Sequence, residues 1–390
     1  MLSKLILHNS DLKRLMDEGY EIEVRGGHLI VHQIPYVNSK CELMTGKLIT
    51  PLELSGEKTI KPQHTIHFMG EHPCHNDGSI LTSIKHSEVN QKLYDDIDLN
   101  FMFSNKPQNG YDNHYEKVIR YIELITAPAK SIDKNSSAAT FKVIECVEEH
   151  SIFNYLDTNS SRANINFIND KFKGMRIGII GLGGTGSYIL DLVAKTPVDE
   201  ILLFDDDEFL LHNAFRAPGA PSIETLNKKM KKVDYFTSLY SNMRKNIVPH
   251  GVKIVDENAK LLKDLDFVFI SVDSNIARNT IISKLLNFQV PFIDVGLGVE
   301  IKNDTLTAIL RATLGTETMH EHLPTRIGSI NGSDDEYSTN IQIADLNAMN
   351  ALMAVIKWKR YIGFYKDLKE EHNITFTVNT GQMLSDDFAT

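Results

Sequence analysis

Residue types that handle phosphate and ribose cluster within one third of this 390-residue chain. Asp205 is followed by Asn213 and Arg216, then by a lysine-rich stretch, Lys228-Lys229-Met230-Lys231-Lys232, and later by Asp273. Asn213 lies 8 residues after Asp205, Arg216 lies 11 after it, and Lys229 lies 13 beyond Arg216. Arginine offers oxyanions a planar fork and lysine a compact point charge. The set follows a glycine turn, Gly181-Leu182-Gly183-Gly184-Thr185-Gly186, at the end of an apolar run, Ile177–Ile180. Glycines at 181, 183, 184 and 186 let the backbone turn sharply and approach a phosphate at a helix N-terminus. Asp205 follows Gly186 by 19 residues, which suits a carboxylate on a ribose hydroxyl. These residues point to a nucleotide site, and an aspartate clamp plus cations goes beyond what nucleotide binding alone needs.

The elements that must position these residues alternate between strand and helix. Strands are expected at 175–180, 200–205, 252–256, 266–271 and 290–296, and helices at 185–195, 222–245, 275–288 and 341–362. This alternation predicts an α/β fold with a doubly wound, mostly parallel sheet covered on both faces. Asp205 and Asp273 both follow strand C-termini, where such sheets bind ligands, so they converge on the glycine turn. Lys302-Asn303-Asp304 separates two alternating runs, which predicts an antiparallel end to the sheet. Residues 1–130 read as a smaller α+β module. Its elements are a helix capped by Ser10, a hairpin around Gly26-Gly27, short strands at 65–69 and 80–84, and a helix over 112–125 that stops before Ala127-Pro128-Ala129. Residues 131–170 read as a helical connector, with Cys146 on a buried helix face, and 171–390 as the nucleotide domain. The long polar stretch Leu314–Ser338 reads as a functional loop.

Composition narrows the class. Apolar residues make up 42% and charged residues 24%, and no run is long and apolar enough to span a bilayer. No signal peptide is recognisable at the N-terminus. With three cysteines and no paired framework, a reducing cytoplasm is the expected setting, with no membrane association. A net charge of −10 argues against nucleic acid as a partner.

The spaced set Gly-x-Gly-Gly-x-Gly, aspartate, Asn-x-x-Arg, helix lysine and strand-end aspartate resembles the ThiF/MoeB/HesA superfamily, the adenylate-forming relatives of ubiquitin-activating enzymes. The likeness covers about 175–300 well and implies a Rossmann-like adenylation fold. In its C-terminal half and extra N-terminal domain the chain also looks like bacterial ThiF-type proteins found alongside ubiquitin-like proteins. The resemblance implies an ATP-dependent adenylyltransferase that activates the C-terminal carboxylate of a small ubiquitin-like protein or peptide. It assigns Asp205 to the ATP ribose, Asn213, Arg216 and Lys229 to the phosphates, and Asp273 to Mg2+. Arg162 matches an arginine that in relatives often reaches the partner subunit's site, and a homodimer is implied. Carboxylate attack on a phosphate is a reaction between anions, so cations fixed where charge develops fit the chemistry.

The chain departs from the family in two ways. No cysteine follows Cys146, so a thioester on the usual segment is impossible, and the paired Cys-x-x-Cys zinc motifs are absent. The activated acyl group either stays as the adenylate, passes to a separate conjugating-type acceptor, or reaches a cysteine of the N-terminal module, with Cys74 as the candidate there. The first 130 residues carry no comparable motif; a role in holding the substrate or a partner is the expectation by analogy with relatives.

Other readings stand beside this one. The glycine turn with Asp205 alone also fits an NAD-dependent oxidoreductase, and a non-catalytic subunit binding nucleotide or a ubiquitin-like protein fits the same residues. Lys228 or Lys232 can replace Lys229. Asp273 can serve as a helix N-cap. Asp206 and Asp207 read as solvated acids, as do His320 and His322 among the basic groups. His64, His67, His72, Cys74 and His75 invite a zinc site, but alternation along a strand turns His64 and His67 to opposite faces.

Overall fold

The computed structural model describes residues 4–143, 151–327 and 341–388. The chain forms two compact units, Met1–Glu148 and Glu149–Thr390. Among the described residues no helix is long and apolar enough to cross a membrane.

The first unit begins with helices α1 (Lys4–His8) and α2 (Ser10–Asp17). Asn9, rather than Ser10, occupies the position before the α2 helix, and its side chain bonds Leu5 and Thr59 instead of the helix amides. Strands β1 (Ile22–Arg25) and β2 (His28–Val37) form the expected hairpin, with Gly26 and Gly27 both at positive φ, as a tight two-residue turn requires. There follow β3 (Leu43–Pro51), the two-residue pair β4 (Leu54–Ser55) and β5 (Lys58–Thr59), β6 (Thr65–Met69), β7 (Lys85–Tyr94) and β8 (Ile97–Ser104). The main sheet runs β1-β2-β3-β6-β8-β7, and its named neighbours pair antiparallel. No strand forms at 80–84. That segment is a turn closed by the Cys74–Ile80 bridge, and the longer β7 begins after it.

Helix α3 (His114–Ile132) runs through Pro128 instead of stopping before it. An interior proline costs roughly 3 kcal/mol. Burial of Tyr121, Ile122, Ile125 and Ala129 outweighs that, since each large apolar side chain contributes about 1.5–3 kcal/mol.

The second unit opens with α4 (Thr158–Arg162) and α5 (Asn166–Asn169). Strands β9 (Arg176–Ile180), β10 (Glu200–Phe204), β11 (Ile247–His250), β12 (Phe267–Ile270) and β13 (Phe292–Lys302) then form a parallel sheet in the order β11-β10-β9-β12-β13. Counting from β9, that is the 3-2-1-4-5 order of a dinucleotide-binding half-sheet, with its switch point between β9 and β12. Core residues divide between its faces. Ile177 and Ile179 pack with α6 (Gly184–Ala194), α9 (Lys232–Tyr240) and α12 (Ala344–Tyr361), whereas Ile180, Leu202 and Phe204 pack with α10 (Asn275–Phe288). Burial on both faces explains why these strands are apolar throughout.

Three elements differ from expectation. The edge strand β11 lies at 247–250, not 252–256; an edge position tolerates its Pro249. The helix expected over 222–245 is two helices, α8 (Ile223–Asn227) and α9, separated where Lys229 takes a left-handed φ of 45°. The antiparallel end is larger than expected: β13 turns at Asn303-Asp304 into β14 (Thr305–Gly315), and β15 (Glu371–Thr377) and β16 (Gln382–Phe388) extend it. Leu314 and Gly315 belong to β14, and α11 (Leu323–Arg326) follows; the rest of the expected loop beyond Ile327 lies outside the described residues, as does Cys146.

Candidate functional site

The glycine turn joins β9 to α6 at the switch point. Gly181 has φ +86°, and its N–H donates to the Phe204 carbonyl at 2.8 Å, tying the turn to β10. Ser271, just past β12, donates its hydroxyl to the Gly181 carbonyl at 2.7 Å. Glycine is required sterically at 184 and 186. A Cβ at Gly184 would sit 1.9 Å from Asn347 Nδ2, and one at Gly186 would sit 1.9 Å from the Gly181 oxygen. At Gly183 a Cβ would meet nothing within 4 Å, so that face of the turn is open.

Asp205 closes on this turn. Its Oδ2 accepts the Leu182 N–H at 2.7 Å and its Oδ1 accepts the Asp207 N–H at 2.9 Å. The lysine that reaches it is Lys232, whose Nζ lies 3.4 Å from the Asp205 carboxylate and 2.7 Å from Asp207 Oδ2. Lys229, the residue favoured by spacing, is exposed in the break between α8 and α9. The break has a cause. Residues 207–209 and 230–232 run side by side, with Phe209 N–H donating to Met230 O at 2.7 Å and Lys232 N–H to Asp207 O at 2.9 Å. This extended pairing interrupts the helix and delivers Lys232, buried, in the first turn of α9. Of the lysines that the spacing left open, Lys232 is thus the one that contacts the Asp205 carboxylate. Asp207 is exposed, as expected, but is also paired: its hydrogen bond to Lys232 holds its carboxyl below the usual range.

Asn213, in the short helix α7 (Leu211–Ala214), is buried, and its Oδ1 accepts the Leu210 N–H at 2.8 Å, which fixes the loop leading to Arg216. Arg216 is half-buried. Burial lowers its pKa, countered by the charges of Asp273 and Asp207. Its Nε is buried without a hydrogen-bond partner, an unsatisfied donor of the kind native structures rarely leave. Asp273 does not cap α10: Ser274 does, accepting the Ala277 N–H at 3.3 Å. Asp273 makes no hydrogen bond or ion pair among the described residues and lines a cavity. Arg162, at the end of α4, is exposed and makes no hydrogen bond or ion pair among the described residues.

That cavity, about 360 Å³, extends from Gly183, Gly184 and Asp273 toward β13 and β14. Its far wall holds a buried charge cluster absent from the sequence-based set. Asp294, fully buried on β13, accepts from Arg278 Nε at 2.9 Å and from Arg311 at 2.5 Å. Asn347 and Asn350 reach the cavity from α12. Asn347 bonds Thr185 Oγ1 at 3.2 Å and the Arg216 carbonyl at 3.3 Å, linking the glycine turn to the arginine loop. Asn350 donates to Gly296 O at 3.0 Å and leaves its Oδ1 buried without a partner. A signal for these residues was present: two asparagines three apart on an otherwise apolar helix share one face.

Among the described residues His64, His67, His72, Cys74 and His75 do not gather into a close group of ligand atoms. Among the described residues the one group of three or more close metal-ligating side chains is Asp205, Asp206 and Asp207. His72 packs edge-on against Phe101 and Phe103. Cys74 is fully buried, and burial pushes its thiol pKa up, the opposite of what a reactive thiol requires. His322 is not solvated; it contacts the Leu314 carbonyl at 2.9 Å and packs against His372.

The profile of the ThiF family matches residues 162–383, and that of a domain of unknown function (DUF6791) matches residues 10–158. A tRNA threonylcarbamoyladenosine dehydratase of Haemophilus influenzae is 22% identical over 177 residues; the match spans 44% of this chain and 64%, less than two thirds, of that protein. Among solved structures, E. coli MccB with MccA-N7isoASN superposes with a TM-score of 0.47 at 16% identity, over 60% of this chain and 70% of that one. E. coli MccB with ATP gives a TM-score of 0.46 at 18% identity, over 60% and 72%.

Proposed function

Because the chain belongs to the ThiF family, we propose that it is an ATP-dependent adenylyltransferase activating the C-terminal carboxylate of a small ubiquitin-like protein or peptide. In this reaction a carboxylate oxygen attacks the α-phosphorus, the bond to the leaving pyrophosphate breaks, and an acyl-adenylate forms. The observation that carries the reading is Arg216: a half-buried guanidinium near the charge of Asp273, its Nε unsatisfied, on a loop that Asn347 ties to the glycine turn. A fixed cation there stabilises charge that grows on phosphate oxygens in the transition state.

The other roles follow from position. Asp205 meets the ribose, with Lys232 holding its carboxylate in place and turning toward the phosphates when nucleotide binds. Asn213 keeps its Nδ2 available as a phosphate donor while its Oδ1 braces the loop. The unpartnered Asp273 fits a Mg2+ ligand, since hard cations take carboxylate oxygens; the ion, when bound, would neutralise the leaving pyrophosphate. The cavity between the glycine turn and β14 takes the substrate tail, whose amides can satisfy Asn350 Oδ1. The relative from Haemophilus carries tRNA in its name; a protein or peptide substrate fits this chain better because its net charge is −10. Exposed Ile301, Ile309, Met383 and Phe388 on the antiparallel end supply apolar surface for a homodimer, in which Arg162 would serve the partner's site. The N-terminal unit holds the substrate or a partner, and the acyl group passes to a separate acceptor rather than to Cys74.

The test is ATP–pyrophosphate exchange with candidate ubiquitin-like proteins or peptides. Exchange that needs both the candidate and Arg216 supports the assignment. A melting shift with NADH and none with Mg-ATP would replace it with the oxidoreductase reading.

A further inference from the structure

The N-terminal unit contains a second cluster of cationic groups, unrelated to the adenylation residues. A cavity of about 200 Å³ opens between the end of β3, the 61–63 segment, β6 and the start of α3. His114, the first residue of α3, lines it. This histidine is 1% exposed, and neither ring nitrogen has a hydrogen-bond partner. One turn along α3, Lys117 is fully buried, and its Nζ bonds a single partner, the hydroxyl of Thr50 at 2.6 Å. Thr50 also lines the cavity. His67 completes the wall from β6, with its Nδ1 buried and unpartnered.

An interior arranged this way is costly without an occupant. A buried ammonium needs a counter-charge, and a buried imidazole with two orphan nitrogens forfeits the desolvation of both. The nearby acid does not supply the charge: Asp11 is occupied by the backbone N–H groups of Leu12 and His114 and by the Thr59 hydroxyl. Glu53 and Lys61 lie at the exposed rim, and Lys61 pairs with Asp112 at 2.5 Å. The amides at the α3 N-terminus are also engaged, by Asp11 and by the Asn113 cap. The groups left for a ligand at the cavity wall are thus the two imidazoles; the Lys117 ammonium lies behind Thr50, whose hydroxyl accepts from it and donates to the Pro51 carbonyl at 3.3 Å.

We propose that this cavity is a binding site for a small oxyanion, a phosphate or carboxylate group, held by the imidazoles of His114 and His67, with the buried Lys117 ammonium behind Thr50 supplying the counter-charge. Burial pushes Lys117 down to about 7; burial, with the nearby Lys117 charge and against that of Asp11, pushes His114 down to about 4. An anion entering the cavity returns protons to these groups, so binding takes up protons from solution.

The test uses the full chain carrying Arg216→Ala, which silences the phosphate-binding arginine of the other unit. Inorganic phosphate and acetate are each titrated calorimetrically in two buffers of different ionisation enthalpy. The expected result is saturable binding with net proton uptake, weakened at least tenfold by Lys117→Met and by His114→Gln. Preference for phosphate or for acetate identifies the source of the oxyanion. A second readout needs no variant in this cavity: ¹⁵N-labelled imidazole resonances of His114 and His67 should move on ligand addition. Absence of binding and of resonance shifts with both anions, or binding that both cavity variants leave unchanged, overturns the proposal. ATP–pyrophosphate exchange by Lys117→Met in the otherwise unaltered chain should equal that of the parent, which separates the fate of this site from that of the adenylation reading.

Discussion

Two buried lysines show how differently this chain treats the same side chain. In the second unit Lys232 sits between the carboxylates of Asp205 and Asp207 and is a fixed cation beside the glycine turn. In the first unit Lys117 has only a threonine hydroxyl, and burial pushes its pKa down to about 7. Pairing decides the outcome, because desolvation penalises the charged form wherever no opposite charge compensates. A lysine held between carboxylates has its counter-charge before any ligand arrives. A lysine without them acts as a cation only when a ligand brings the negative charge.

The comparison can be broken most decisively at the glycine turn. Arg216→Ala should cut ATP–pyrophosphate exchange by about 10²–10³, the loss typical of removing one preorganised transition-state donor. Exchange within twofold of the parent would remove Arg216 from the chemistry. Next in size, Lys232→Ala should lower exchange by about tenfold or more while Lys229→Ala leaves it near parental, since only Lys232 reaches the Asp205 carboxylate. The reverse ranking would restore the spacing-based choice.

Gly184→Ala and Gly183→Ala sharpen the distinction between packing and ligand approach. The first forces a methyl onto Asn347 and should destabilise the second unit by about 1–3 kcal/mol in denaturant unfolding. The second meets no protein atom, so stability should hold while ATP affinity falls; equal stability loss in both would mean the open face at 183 is not where nucleotide approaches.

The smallest expected effect concerns Lys117. Its pKa is lower in the folded state than the unfolded value of 10.5, so the unfolded chain binds the extra proton between about pH 7 and 10.5. Stability from this group therefore rises with pH across that window and is flat below it. Lys117→Met should raise the melting temperature at pH 7 and lose the advantage by pH 10. A variant less stable at both pH values would show that Lys117 is compensated by something other than Thr50.

Much of the second unit was legible because its signals are local. The run Ile177–Ile180, the glycine turn and the Asp205 spacing all lie within one strand–turn–helix–strand unit, and the structure places that unit as expected. The first unit was harder. β2 with β3 and β7 with β8 are local antiparallel pairs, but register shifts in both pairings break the alternation that would have announced them, and the β6–β8 pairing joins residues 65–68 to 101–104. α3 passed through Pro128 because its buried face, invisible to a local rule, favours continuity.

By itself the sequence determined which residue types are available: glycines in a strand-to-helix turn, aspartates just past two strand ends, and an arginine in the loop after the first of them. These are properties of residue type and short-range geometry. Only the tertiary structure brings Lys232 to Asp205, because a cross-loop pairing between 207–209 and 230–232 breaks the helix and leaves Lys229 exposed. It alone also brought Asp294, Arg278, Arg311 and the α12 asparagines to one cavity, and left His114 and Lys117 buried without counter-charge. Burial and partner choice are set by contacts between segments distant in sequence, and no spacing within a single segment records them.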